Sequence, residues 1–154
     1  MDSTRRVSGI NVLHGWGRRA IRYVLAHDPS SWTGRAITWG PALGVMAGIF
    51  WLSGMSEPFG SDPFWFDDLI GVIGHFGEYG LLALAWRWAL IRQWPDLRRP
   101  AWIALAVTLA FAFSDEYHQS FVPGRFPDLL DILTDLAGAV TALLLWGRGE
   151  RVSG

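Results

Sequence analysis

Histidines, carboxylates and amides recur at three places in the 154-residue sequence, spaced three and four residues apart. His75 is followed by Glu78 and Tyr79. Asp115 is followed by His118 and Gln119, with Glu116 at the margin, and Asp128 by Asp131 and Asp135, a stripe that Gly138 continues. On a helix these spacings put each set on one face. A carboxylate near a histidine is the equipment of acid–base chemistry, and burial beside like charges tunes such groups for it. Glu116 or Asp131 is the candidate base and His118 its proton partner, so Glu116, His118 and Asp131 are the candidate catalytic residues. His75, Glu78, Tyr79, Asp115, Gln119, Arg125, Asp128 and Asp135 are the candidate substrate-binding residues, with Arg125 placed to meet a headgroup.

Charge type narrows the ligand. Glu78, Asp115, Glu116, Asp128, Asp131 and Asp135 face only Arg125, His75 and His118 as counter-charges. An anion alone is disfavoured there; a proton, an ammonium group, or a divalent metal bridging to a phosphate all suit the site. The metal is the less favoured occupant, because the spacings fit ligands but no stretch has the specificity of a Cys or His zinc motif. The cofactor is left unassigned.

The elements that must carry these residues are apolar blocks. Residues 37–56, 69–91, 101–121 and 128–146 each approach the roughly 20 residues needed to cross about 30 Å of hydrocarbon. A soluble bundle would show a narrower apolar stripe backed by a charged face, and that alternation is missing. The sequence predicts an all-α integral membrane bundle of about four transmembrane helices. All thirteen basic residues are arginine. Arg5, Arg6, Arg18, Arg19, Arg22 and Arg35 precede the first block, Arg87, Arg92, Arg98 and Arg99 flank the second loop, and Arg148 and Arg151 follow the last. By the positive-inside rule both termini are cytoplasmic. The first outer loop is acidic, with Glu57, Asp62, Asp67 and Asp68, and seven tryptophans (Trp32, Trp39, Trp86, Trp88, Trp94, Trp102 and Trp146) fall near the inner interface.

Residues 1–35 form a basic cytoplasmic segment without the apolar core of a cleavable signal peptide. Leu13, Trp16, Ala20, Ile21 and Val24 recur at helical spacing, which fits either a helix lying on the membrane surface or a solvated tail. Residues 36–147 form the membrane domain and 148–154 a cytoplasmic tail. Gly40, Gly44 and Gly48 make a small-residue stripe expected to receive a neighbouring helix, and Gly71, Gly74, Gly77 and Gly80 another. With no cysteine, disulfides and thiolate sites are excluded.

The polar residues lie roughly 4 to 14 Å inside the outer ends of their helices at about 1.5 Å per residue. An ionisable group at that depth costs on the order of 2.5–3.5 kcal/mol on insertion scales, so it is kept from lipid and commonly marks a site. The expectation is one cavity open to the outer face. The alternative is a hydrogen-bonded buckle that only fixes helix positions.

Ser114 to Gly138, SDEYHQSFVPGRFPDLLDILTDLAG, closely resembles the signature of the VanZ-like family, membrane proteins named for a protein that lowers susceptibility to the glycopeptide teicoplanin. The Asp115-Glu116 and His118-Gln119 pairs, the Val-Pro-Gly-Arg turn and the following Asp and Gly positions align, as do His75-Phe76 with Tyr79, and Leu52-Ser53. The likeness extends over about residues 51–138. Val72 stands where relatives often have lysine, Phe126-Pro127 where they have small or polar residues, and Asp135 where an asparagine is common, which removes a cation and adds a carboxylate. The resemblance implies a multi-pass protein of the bacterial plasma membrane acting in the cell envelope, and it names no reaction.

Three functions compete on these residues. The first is binding or modification of an outer-leaflet lipid or lipid-linked peptidoglycan precursor, possessing an effect on teicoplanin susceptibility. The second is a non-catalytic membrane accessory or scaffold. The third is a small proton-coupled transporter, which with four helices would need to be a homo-oligomer. Membrane lipid is the expected partner and nucleic acid is not.

Overall fold

The computed structural model describes residues 23–24, 26–55, 64–125 and 127–152, with side chains described except at 64–68, 70 and 150–152. Leu13, Trp16, Ala20 and Ile21 of the expected surface helix, the acidic residues Glu57 and Asp62, and the side chains of Asp67 and Asp68 lie outside that description. The described residues form four helices and no strand: α1 Trp32–Ser53, α2 Phe64–Gln93, α3 Pro100–Gln119 and α4 Leu129–Val152.

Local chemistry sets the ends. Ser31 caps α1, its hydroxyl accepting from the Gly34 N–H at 3.0 Å. Gly34 is required there, because a Cβ would run into the Asp28 carbonyl of the preceding turn. α1 therefore starts at Trp32, before the expected residue 37. α2 continues at both ends past the expected 69–91 and, with 30 residues, is about 45 Å long. α3 opens on Pro100, whose missing N–H costs nothing at the first helical position. The preceding Arg99 takes the left-handed conformation, φ 63° and ψ 49°, which costs an L-residue about 1–2 kcal/mol. Between α3 and α4, Pro123 and Gly124 (φ 85°) make a turn closed by the Arg125 N–H on the Val122 carbonyl at 3.1 Å.

α2 is the central element and touches all three others; its contact with α4 is the most extensive. Small residues make that contact possible. A Cβ on Gly80 would lie 3.3 Å from the Gly138 carbonyl, and one on Gly138 would strike the Phe76 carbonyl. Contrary to expectation, Gly40, Gly44 and Gly48 of α1 receive no helix: a Cβ at any of them would meet nothing within 4 Å among the described residues, and the same holds for Gly71, Gly74 and Gly77. Small-residue spacing permits a close approach but does not name the face that is used.

The distribution of polarity is inverted relative to a water-soluble bundle. Thr38, Ser53, Arg87, Thr108, Asp115, Glu116, Gln119 and Asp135 are buried, while Leu43, Trp51, Ile73, Leu81, Phe113, Leu133 and Leu144 are exposed, Ile73 by 62%. Scattered exposed apolar residues are ordinary, but apolar side chains covering all four helices while carboxylates and an amide are buried at one end are not. This is the surface of a membrane protein. By length and composition two helices are fit to cross a bilayer, Trp32–Ser53 and Leu129–Gly149. α2 and α3 carry the charged and polar groups that dilute their apolar content.

The interior is layered. One end of the bundle holds His75, His118 and the carboxylates. Next come Ile49, Tyr79, Leu82 and Ala112, then Ala83, Leu90, Ala104, Ala139 and Leu143, with Trp86 packed against both layers. The far end holds arginines and tryptophans.

Candidate functional site

The polar end draws on all four helices. Asp115, 2% exposed, is one hub. Its Oδ1 accepts from the Ser53 hydroxyl of α1 at 2.7 Å, and its Oδ2 from the Tyr79 hydroxyl of α2 at 3.4 Å and from Gln119 Nε2 at 3.1 Å. Gln119 passes the network on, its Oε1 accepting from Arg125 Nη1 at 3.0 Å. Arg125 Nε donates to the Met55 carbonyl at 3.1 Å, tying the α3–α4 turn to the end of α1.

His75 is the second hub. Its Nδ1 lies 3.0 Å from Asp135 Oδ1 and its Nε2 3.9 Å from Asp131 Oδ2. A neutral imidazole has one N–H, so satisfying both carboxylates takes a further proton, on the ring or on one of the two acids. The ring also stacks on Tyr79, centroids 6.4 Å apart and planes within 6°. That contact joins the two hubs. Glu78 stands within electrostatic reach of His75, Asp115 and Arg125, and Glu116 within reach of His75, Asp131 and Asp135.

Two residues fall elsewhere than the spacing predicts. His118 does not pair with Glu116 or Asp131: its ring stacks on Phe50 of α1, centroids 3.9 Å apart, with Nε2 beside Gly54. The reason is angular, since position 118 turns toward α1 while 116 turns toward α4. Asp128, expected inside the fourth span, precedes α4. It is exposed, its Oδ1 accepts from the Leu130 N–H at 2.8 Å, and its own N–H donates to Glu116 Oε2 at 2.9 Å. It works as a helix cap, and Glu116 holds it there. Conversely, spacing does not mark Ser53 as a site residue, yet it supplies the shortest bond to Asp115. Its sequence signals are a hydroxyl at the end of an apolar block and its place in the Leu52-Ser53 pair that aligns with the VanZ-like signature.

Below Asp135 the interior is mainly apolar. A narrow crevice of about 150 Å³, counted with its open side, runs past Tyr79, Thr108, Asp135 and Leu136 and is too tight for a water molecule. The Thr108 hydroxyl at its wall has no partner among the described residues. Also among the described residues, no three His, Asp or Glu side chains are gathered as metal ligands. Chemically the site offers buried acceptors, a histidine held between two acids, and one guanidinium.

A model of the VanZ/LLP1 family matches residues 23–148. The chain belongs to the VanZ/LLP1 family. No curated protein and no solved structure matches it. The match takes in three helices whole, α4 as far as residue 148, and both hubs, so the buried network lies within the family's domain.

Asp115 permits a graded test. In Asp115→Asn one carboxylate oxygen becomes an NH₂; facing Ser53, it can donate to the hydroxyl oxygen while that hydroxyl turns its proton to the Phe50 carbonyl, 3.1 Å away. The variant then exchanges bonds to a charged acceptor for neutral ones, a loss of about 1 kcal/mol. The purified variant should unfold at a lower temperature than the parent, and Ser53→Ala combined with it should lower stability by less than the sum of the two single effects.

Proposed function

We propose that this VanZ/LLP1 chain is a four-span protein of the bacterial plasma membrane, both termini cytoplasmic, whose outward-facing polar network binds or modifies an outer-leaflet lipid or a lipid-linked peptidoglycan precursor. The observation that carries the reading is the pairing of His75 with Asp131 and Asp135 beside Glu78, Glu116 and Arg125, at the end of the bundle away from the arginine-rich loops. In this reading Glu116 or Asp131 is the base. His75, rather than His118, is the proton partner, because it is the histidine in contact with acids. Arg125 spends Nε and Nη1 on the protein, and its remaining amino group meets a headgroup. The dry layers below Asp135 support a one-sided site over a path through the bundle.

A second reading has one observation in its favour: both oxygens of Asp115 are already satisfied from within the protein, as a purely structural buckle would require. One experiment separates the two. The chain and its Glu116→Gln and Asp131→Asn variants are expressed in a glycopeptide-susceptible bacterium, with membrane accumulation verified by immunoblot, and teicoplanin tolerance is measured. The parent should raise tolerance and both variants should lose the effect while accumulating normally. Variants as effective as the parent would favour the buckle, and a parent without effect would remove glycopeptide tolerance from the proposal.

A further inference from the structure

The end of the bundle opposite the carboxylate network carries a second concentration of charge. Arg35, Arg98, Arg99 and Arg148 are exposed there. Two further arginines are committed: Arg87 lies over the Trp146 ring, while Arg92 bonds Thr38 and the Val24 and His27 carbonyls and sits over Trp88. The described carboxylates on this face are Asp28 and Asp96. Asp28 is engaged by the hydroxyl and amide of Ser30, at 2.7 and 2.8 Å. Arg98 and Arg99 have no ion-pair partner among the described residues.

These two arginines are held by a well-fixed turn. Trp94 packs edge-on to Trp39 at 5.7 Å, Leu97 packs against the buried Ala83–Leu143 layer, and the Leu97 N–H donates to the Trp94 carbonyl at 3.0 Å. Trp94 and Trp102 nonetheless remain 51% and 68% exposed on either side of the pair. Arg99 occupies a left-handed conformation that glycine would adopt freely. Arginine is the costlier residue at that position, and a use for its guanidinium explains its presence.

We propose that the turn from Trp94 to Trp102, through Arg98 and Arg99, binds the phosphate headgroup of an anionic lipid. Guanidinium forks match phosphate oxygens bidentately, and exposed tryptophans settle at headgroup depth. Assigning the lipid to the cytoplasmic leaflet rests on the topology proposed above; the headgroup chemistry does not. Near an anionic surface each arginine is worth about fivefold in affinity.

The full chain, purified in detergent, is titrated with phosphatidylglycerol or phosphatidylcholine, and bound lipid is counted by native mass spectrometry, with free glycerol phosphate as competitor. Phosphatidylglycerol should bind several-fold better than phosphatidylcholine. Arg98→Gln and Arg99→Gly should each weaken it about fivefold, the pair should abolish the preference, and Gly44→Ala should leave it intact. Arg99→Gly relieves the backbone at that position, so its loss of binding is not a loss of fold. Equal binding of the two lipids, or a preference that survives the double variant, overturns the site; full competition by glycerol phosphate replaces the lipid with a free phosphate ester. Labelling in intact cells with an impermeant thiol reagent tests the leaflet separately. Ser120→Cys should react and Ser153→Cys should not, and the reverse result overturns the cytoplasmic assignment while the binding data stand.

Discussion

Gly138→Ala should strip the protein from the membrane fraction or, where it survives, destabilise it by about 3 kcal/mol, at the upper end of the usual cost of overpacking. The new methyl group would be driven into the Phe76 carbonyl of α2. A flexible side chain could move aside, but a helix backbone cannot, so α2 and α4 must separate. Their separation reaches the site directly, because Phe76 adjoins His75 and Gly138 lies one turn from Asp135. The same substitution at Gly44 or Gly77, where a Cβ meets nothing within 4 Å, should be neutral or stabilising, since alanine is a better helix former than glycine by about 1 kcal/mol. Thermal unfolding of the three purified variants checks this. Equal loss at all three would mean that glycine content, rather than the α2–α4 approach, sets stability.

The contrast among glycines also marks what could be read from the sequence. Four apolar blocks give four helices, because block length and the absence of a charged stripe are properties of each segment alone. The ends were less legible. Hydropathy falls at Asp67 and Asp68, so the second block reads as starting at residue 69, while the helix runs from Phe64. A helix continues through charged residues wherever its backbone bonds are satisfied. Asp128 reads as part of the fourth apolar block, although an aspartate ahead of Leu129 is as good a cap as a site residue.

Spacing determines which residues share a face but not where that face points. Relative to Asp115, position 119 lies about 40° round the helix, position 118 about 60° to one side and position 116 about 100° to the other. Asp115 and Gln119 look inward, where Ser53 and Tyr79 meet them. The same rotation hands His118 to Phe50 on α1 and Glu116 to Asp128 at the start of α4. Only the placement of the neighbouring helices divides that face between them, and three- and four-residue spacing contains nothing of it. The link between His75 and Asp135 spans 60 residues and was legible only as a shared depth.

Because the Asp135 end of that link is buried, breaking it should have two separable consequences. His75→Leu alone leaves Asp135, 1% exposed, without its ring partner, and an uncompensated buried charge costs about 3–5 kcal/mol. The single variant should therefore accumulate poorly. Replacing both partners, His75→Leu with Asp135→Leu, removes the charge along with its counter-charge, and apolar substitutes of similar volume for a buried ion pair are commonly tolerated. The double variant should return to near-parental accumulation and thermal stability. A structural buckle needs nothing more, and activity would return with the fold. A site that moves a proton between His75 and its two acids would stay inactive, since leucine can neither hold nor pass one. Membrane accumulation and teicoplanin tolerance measured on the same cells read the two consequences independently. The expected pattern is recovered protein without recovered tolerance. Recovery of both would reduce the His75–Asp135 pair to a fastening between α2 and α4, and failure of the double variant to accumulate would show that the pair is bound into the Asp115 hub through Tyr79 too tightly to be exchanged alone.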